Sequence, residues 1–469
     1  MVRLCNQYIS AKSLIMVLFE AGLLVAALVC GVKLRFWNDP AEFELYTQFP
    51  IFGWQAAFFV MAFQVCFYYG DLYDLNSRRK YYPEWMCLGQ SLGAGCLTLG
   101  LLYFVIPALM VGRGVFFIST VLVSVFVSLD RLVLDALWRV VAPKQKALIL
   151  GTGRLADTVA RELRNRDDLD IELAGFLELE SGMSHSRNSL GGLPIFDGPE
   201  ELRAITSREH ISRIIVALED RRGLLPTRDL VRLRVQGVRV EDAHTVMASL
   251  TGRVGLSTVR PSWFVFSEGF HRSRMTLMGK RAMDLAFSLV GLIVSLPLMG
   301  LITIAIRLDS KGPAIYRQER VGLGGRCFEL LKFRSMRADA EVGNGVQWAC
   351  ENDRRITRVG RFLRKFRLDE VPQFLNVIRG EMSFVGPRPE RPVFVEQLRK
   401  EISYYDERHS VRPGITGWAQ VQYHYGSSVE DSFRKLEYDL FYLKNLSLLF
   451  DCAIVLKTVR IVLMGSGSR

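Results

Sequence analysis

The sequence predicts a multi-domain membrane α/β protein in three parts: a block of four transmembrane helices (residues 1–140), a parallel α/β domain (141–262), and a C-terminal α+β domain (275–469) with a re-entrant membrane helix at 283–306. Three observations predict it. Four long apolar runs fill the first 130 residues. A strand, a glycine-rich turn and a helical pattern begin at Gln145. Beyond Gly312 the chain becomes dense in arginine, carboxylate, glycine and proline.

Composition sets the outer bounds. The 469 residues suggest two to four domains of about 150 residues each. With 49% hydrophobic residues and mean hydropathy +0.17 there is enough apolar surface to exclude a disordered chain. The 39 glycines and 16 prolines are too few for a collagenous or low-complexity one. The net charge of +12 suits anionic lipid, nucleic acid or a phosphorylated substrate, and does not choose among them. The eight cysteines form no C-x-x-C pair and the six histidines are scattered, so neither a disulfide scaffold nor a zinc site is expected. The cysteines read as small buried hydrophobes in a reducing compartment.

The apolar runs are residues 13–32, 52–69, 87–110 and 115–129. A bilayer core takes about 20 apolar residues as a helix. The fourth run reaches that length only by continuing past Asp130 and Arg131 to Leu132 and Leu134. Cations cluster before the first run (Arg3, Lys12), between the second and third (Arg78, Arg79, Lys80) and after the fourth (Arg131, Arg139, Lys144, Lys146). The positive-inside rule therefore puts both ends of the block in the cytoplasm. The first run is long, contains Glu20 and is followed by further spans, unlike a cleaved signal peptide. Glu20 is read either as a functional intramembrane acid or as a polar contact between helices.

Residues 146–150 read as a buried strand, and Gly151-Thr152-Gly153-Arg154-Leu155-Ala156 as a G-x-G-x-x-A turn opening a helix through Leu163. Residues 173–177, 214–217 and 238–240 read as further strands separated by helical patterns, which implies a Rossmann-like parallel sheet covered on both faces. The turn permits an anion to approach a helix N-terminus, with Glu178 near the place of a ribose-binding acid. Two readings stand: a dinucleotide or nucleotide-sugar site, or a fold that keeps the turn and binds nothing. The second, with a regulatory or spacing role, is preferred.

The run 283–306 is long enough to be a fifth span, but both flanks are basic: Lys280 and Arg281 before it, Arg307 and Lys311 after. A crossing would strand one cationic flank on the wrong side. Pro297 lacks an N–H and clashes with the preceding turn, which predicts a break. The freed carbonyl of residue 293 is expected to be satisfied by Ser295 or a nearby hydroxyl. A helix–break–helix that enters and leaves on one face follows.

Residues 312–322 and 328–336 then read as two strands, the second projecting Lys332 and Arg334 to one face at period two. Residues 361–367 read as a basic helix running into Asp369-Glu370. Beyond it lie Gly386-Pro387-Arg388-Pro389 and Arg412-Pro413-Gly414. Two adjacent carboxylates among so many cations point to a phosphorylated substrate. Phosphoryl transfer needs positive charge to spread what develops in the transition state. Arginine supplies a fork and lysine a point charge, and Pro387 and Pro389 fix the backbone around Arg388. A carboxylate can be a nucleophile or a hard-oxygen ligand for Mg²⁺. Neighbouring helical residues point about 100° apart, so Asp369 and Glu370 are expected to divide the work.

At these residues the chain resembles the bacterial polyprenyl-phosphate glycosyl-1-phosphate transferases, over roughly Met275 to the C-terminus. The shared motifs are K-F-R-S-M (332–336), L-D-E-x-P-Q (368–373), S-x-V-G-P-R-P (383–389) and R-P-G-I-T-G-W (412–418). With the preceding helices and Rossmann-like domain it is similar to the family's long members, which initiate exopolysaccharide or O-antigen synthesis. The resemblance implies a C-terminal catalytic domain on the cytoplasmic face, moving sugar-1-phosphate from a nucleotide diphosphate sugar, usually a UDP-sugar, to polyprenyl phosphate. It implies Asp369 as nucleophile, forming a covalent phosphosugar intermediate, and Glu370 assisting by positioning Mg²⁺ or a proton. Lys332, Arg334, Arg364 and Arg388 would hold phosphates, and Pro387 and Pro389 would shape their turn. Ser295 and Pro297 match the family's membrane break loosely, because Leu296 separates a serine that many members carry directly before the proline. A homodimer is a further implication.

Residues 441–450 read equally as an interfacial segment or a packed core helix. Two rival functions remain: a membrane-bound nicotinamide-dependent sugar-nucleotide enzyme working at the 151–156 turn, and a non-catalytic scaffold on anionic lipid. Nucleic acid is not an expected partner, since the arginines are interleaved with turns and carboxylates rather than forming a basic stripe.

Overall fold

A computed structural model describes residues 2–4, 7–9, 11–73, 84–141, 144–166, 169–179, 192–218, 225–256, 269–270, 273–337, 355–423, 426 and 428–464. The cationic connection Arg78-Arg79-Lys80 lies outside them. The chain divides into two compact units, chiefly Tyr8–Val246 and Met247–Arg469.

In the first unit four apolar helices are long enough to cross a membrane: Ala11–Arg35, Pro50–Tyr69, Glu84–Val105 and Arg113–Val141. They share a core in which Leu24, Leu28, Phe59, Phe63, Phe67, Leu99, Val123 and Val127 are fully buried. The third helix ends at Val105 rather than near Met110, because Pro107 opens a separate turn. A short helix, Pro40–Gln48, occupies the first connection. Asp39 caps it by accepting from the Glu42 N–H, and Pro40 takes the first turn, where its missing N–H costs nothing.

The fourth helix does continue past Asp130 and Arg131, and a buried pair accompanies that passage. Arg131 reaches Glu20 of the first helix at 2.5 Å and donates to the Leu72 carbonyl at 3.1 Å. Glu20, fully buried, is thus an interhelical contact. Glu20→Gln removes the charge that faces a buried guanidinium, so a loss on the order of 2 kcal/mol is expected. The melting temperature of the detergent-solubilised protein should fall; an unchanged melt would deny the pair a stabilising role.

The same unit holds a five-stranded parallel sheet: β1 (Gln145–Leu150), β2 (Ile171–Glu178), β3 (Ile195–Asp197), β4 (Arg213–Val216) and β5 (Arg239–Asp242), in the order β3-β2-β1-β4-β5. The turn after β1 needs glycine first: Gly151 has φ +108°, and a Cβ there would lie 2.9 Å from the Ala217 carbonyl oxygen. The helix Arg154–Arg164 follows and buries Ala156, Val159, Ala160 and Leu163 at helical spacing.

The second unit opens with one long helix, Arg274–Asp309, capped by Ser273 Oγ accepting from the Thr276 N–H. It is also apolar and long enough to cross a membrane. The helix runs on through Pro297, so the break expected there is not an interruption of helical structure. Ser295 Oγ donates to the Leu292 carbonyl at 3.2 Å, one residue before the carbonyl that Pro297 frees. Pro297 is itself exposed, as are Ile293, Val294 and Leu296.

Both flanks of this helix are fastened to the rest of the unit. On the N-terminal side Lys280 Nζ donates to Asp451 (2.7 Å) and the Val385 carbonyl (2.9 Å), and Asp284 accepts from Ser383 Oγ (2.8 Å) and the Phe384 N–H (3.0 Å). On the C-terminal side Ile302 and Ile306 pack with Ala314, Phe333 and Leu363.

Beyond it β6 (Ile315–Val321) and β7 (Cys327–Phe333) form an antiparallel hairpin, and β8 (Ser383–Val385) pairs in parallel with β9 (Gly414–Thr416). The largest core of the unit gathers Val385, Val395, Leu398, Tyr405, Trp418, Leu440, Phe441, Tyr442, Phe450 and Ile454. Residues 441–443 and 450 are almost wholly buried there, so this part of the 441–450 segment is packed core.

Candidate active site

Asp369 and Glu370 stand in a short 3₁₀ turn, Leu368–Glu370, between the basic helix Arg358–Lys365 and the helix Gln373–Arg379. Arg367 turns the chain with φ +53°, a left-handed conformation uncommon outside glycine. Both carboxylates are 8% exposed, and they have different surroundings. Glu370 Oε1 accepts from Arg388 at 2.7 Å and lies 3.8 Å from Lys332 Nζ. The Asp369 carboxyl has no hydrogen bond or ion pair among the described residues. Among the described residues, one acid is clamped by cations and the other carboxyl has no hydrogen-bond partner.

Three segments deliver the cations. Lys332 comes from β7. That strand is tied to the helix after the dyad by Asn376, whose side chain accepts from the Leu331 N–H (3.0 Å) and donates to the Glu329 carbonyl (2.7 Å). Arg388 comes from the loop after β8. Gly386 must be glycine there, since a Cβ would meet the Arg412 carbonyl oxygen at 2.4 Å. The second arm of Arg388 donates to Gln420 Oε1 at 2.9 Å, so its fork spans Glu370 and Gln420. Arg364 comes from the basic helix; its Nε donates to Ser335 Oγ at 2.9 Å, and its charge favours ionised Asp369.

The electrostatics follow from burial opposed by charge. Burial pushes the Lys332 ammonium down to about 8, against the pull of Glu370. Burial would raise Glu370, but Arg388 and Lys332 overcome it and hold that carboxyl at about 2. Burial, then the charge of Glu370, raises Asp369 above its ordinary value, while Lys332, Arg364 and Arg388 restrain the rise.

The structure thus brings together Asp369, Glu370, Lys332, Arg364, Pro387, Arg388 and Pro389. Arg334 is placed elsewhere. β7 ends at Phe333, and the guanidinium turns to the carboxyl end of the long helix, donating to the carbonyls of Ser310 (2.7 Å) and Lys311 (2.9 Å). It caps that helix instead of following Lys332. Ser295 and Pro297 lie in the outward-facing middle of the same helix.

Sequence reasoning passed over Arg320, Gln373 and Gln420. Arg320, Gln373, Lys332, Arg388, Pro389 and Gly414 line one narrow cleft. Arg320 donates to the Pro389 carbonyl at 3.1 Å and to Gln318 Oε1 at 2.7 Å, and burial lowers its guanidinium to about 10. Alternation along β6 sets Gln318 and Arg320 on one face, a signal that was available. Nothing local marks Gln420. A cleft walled by an ammonium and guanidinium groups beside one clamped and one free carboxylate is suited to a diphosphate and to attack on phosphorus.

Residues 275–465 match the family described as bacterial sugar transferase. The chain is 28% identical to a UDP-glucose:undecaprenyl-phosphate glucose-1-phosphate transferase of Xanthomonas campestris pv. campestris, over 97% of this chain and 94% of that one. It is 31% identical to a UDP-galactose-lipid carrier transferase of Erwinia amylovora, over 69% of each. It is 41% identical to a UDP-N-acetylgalactosamine-undecaprenyl-phosphate N-acetylgalactosaminephosphotransferase of Aeromonas hydrophila, over 52% of this chain and 56% of that relative's length.

Proposed function

The chain belongs to the bacterial sugar transferase family, and from that premise we propose that it moves sugar-1-phosphate from a UDP-sugar to undecaprenyl phosphate in the cytoplasmic membrane, with Asp369 as nucleophile. The observation that carries the mechanism is the unequal pair: Glu370 engaged by two cations, and the Asp369 carboxyl by no hydrogen bond among the described residues. An Asp369 oxygen attacks the phosphorus that bears the sugar. The bond from that phosphorus to the nucleoside monophosphate breaks, and the monophosphate departs with the electron pair. An oxygen of undecaprenyl phosphate then attacks the same phosphorus and displaces the Asp369 carboxylate. Lys332, Arg364 and Arg388 neutralise the phosphate oxygens throughout, and Glu370 holds Lys332 and Arg388 in place.

Mg²⁺ fits this site at one residue. No group of three or more His, Cys, Asp or Glu side chains gathers among the described residues, and Glu370 is already paired. The carboxyl of Asp369 would be the protein's hard-oxygen donor, beside oxygens of the substrate diphosphate and water. A bound Mg²⁺ would add positive charge at those phosphate oxygens.

A re-entrant course for the long helix, with the catalytic unit on the cytoplasmic side, is part of the proposal. What supports it is that both flanks dock on the same α/β unit. Asp284 and Ile306 are separated by about 33 Å of helix, close to the hydrocarbon thickness of about 30 Å. A straight span would carry those flanks to opposite faces. The relatives' names differ in the sugar, so a donor panel read by nucleoside monophosphate release is the test. No release with any UDP-sugar, with Mg²⁺ and undecaprenyl phosphate present, would favour the lipid-binding scaffold.

The first half-reaction should show a bell-shaped pH profile. Its acidic limb lies above the ordinary carboxylate range, because Asp369 must lose a proton that burial favours. Its alkaline limb falls near pH 8 as Lys332 loses its charge. Lys332→Arg should carry the alkaline limb upward beyond the measured range. An unmoved limb would assign it to another group. Labelling without acceptor keeps the acceptor's own ionisation out of the profile.

A further inference from the structure

We infer that Arg408 is a positioning residue for Arg388: it holds the loop that carries Arg388 by the backbone carbonyl of Arg388 itself, and so keeps that guanidinium on Glu370. The inference rests on the function proposed above and adds a residue that meets the cleft only through the backbone of Arg388 and makes no hydrogen bond or ion pair to either acid among the described residues.

The argument begins with the loop's chemistry. Pro387 and Pro389 have no backbone N–H, so the stretch around Arg388 has few donors of its own with which to form a hydrogen-bonded turn. Fixing it falls to donors from elsewhere acting on its carbonyls. The structure supplies one for each of three successive residues. The Pro387 carbonyl accepts from the Gly414 N–H at 2.9 Å. The Arg388 carbonyl accepts from Arg408 at 2.9 Å, and the Pro389 carbonyl from Arg320 at 3.1 Å.

Arg408 is built for a fixed position. It is 7% exposed, within the short turn Tyr405–Ser410. One arm donates to Tyr405 Oη at 2.6 Å. The other, which holds the Arg388 carbonyl, also lies 2.9 Å from Asp439 Oδ2 on the helix Val429–Lys444. Asp439 is 1% exposed, so each charge depends on the other for its burial. Glu390, Lys435 and the titratable His409 also interact with this cluster. A lysine would keep the charge opposite Asp439 but has no planar fork with which to serve three partners.

The test uses the full-length protein in nanodiscs with the UDP-sugar that the donor panel identifies. Arg408→Lys should lower kcat by about 10- to 100-fold and change the donor KM by less than about threefold, with an unchanged near-ultraviolet dichroism spectrum. Tyr405→Phe, which loosens Arg408 without touching its charge, should move kcat the same way by a smaller factor. The decisive comparison adds Arg408→Lys to Arg388→Ala. If Arg408 works through Arg388, the double variant is no slower than Arg388→Ala alone. Multiplying effects, or a donor KM that changes along with kcat, would make Arg408 a structural residue only. An unmodified protein that transfers nothing would instead overturn the proposed function.

Discussion

Asp369→Asn should abolish nucleoside monophosphate release, by on the order of 10⁴-fold or more, while Gly153→Val leaves most of it. A loss of that size corresponds to at least about 5 kcal/mol of transition-state stabilisation. The asparagine has nearly the same shape as the aspartate, and among the described residues the Asp369 carboxyl makes no hydrogen bond whose loss would disturb the turn. The effect is therefore chemical: an amide oxygen is a poor nucleophile toward phosphorus and carries no charge. Gly153 has φ −70° at the start of its helix, an ordinary backbone for any residue, so valine there can be accommodated without left-handed strain. The reverse pattern, activity lost at residue 153 and kept at residue 369, would move the chemistry to the nucleotide-type turn of the first unit.

Arg388→Ala is expected to lower kcat by about 10²- to 10³-fold, the usual consequence of deleting one preorganised charge at a transition state. Two losses combine in that variant. The phosphate oxygens lose a fork, and Glu370, at 8% exposure, loses its hydrogen-bonded cation and is left with Lys332 at 3.8 Å and the charge of Arg367. Arg388→Lys should recover part of the rate, since a point charge can reach Glu370 or Gln420 but not bridge both. Steady-state kcat and donor KM measured separately decide the matter. A change confined to KM would mean that Arg388 binds the donor without favouring the transition state.

Much of this site was legible because its parts are short linear motifs. Asp369, Glu370, Lys332 and Arg388 each announce themselves through neighbours of unusual chemistry, and the fold brings them within reach of one another. Arg334 shows the limit of alternation as a guide. Period two holds only while the strand lasts, and β7 stops one residue earlier. The long apolar helix shows another limit: Pro297 predicts a disturbed ladder, yet the chain stays helical across it. Proline is tolerated in apolar helices when local adjustments satisfy the freed carbonyl. The Pro40–Gln48 helix carried a plain start signal, Asp39-Pro40, that a search for long apolar runs passes over. Gln420 and Arg408 could not have been found from local pattern, because their roles exist only through partners 32 and 20 residues away.

The Asn376 amide has a consequence for how the two halves of the dyad's surroundings are indexed to each other. Its oxygen and nitrogen take the places that a neighbouring strand's peptide group would occupy along β7. A slip of that strand by a single residue would break both bonds and turn Lys332 to the opposite face of the hairpin, away from Glu370. One side chain thus makes the misaligned hairpin costly, and the Lys332 ammonium inherits its alignment from the helix that follows the two acids.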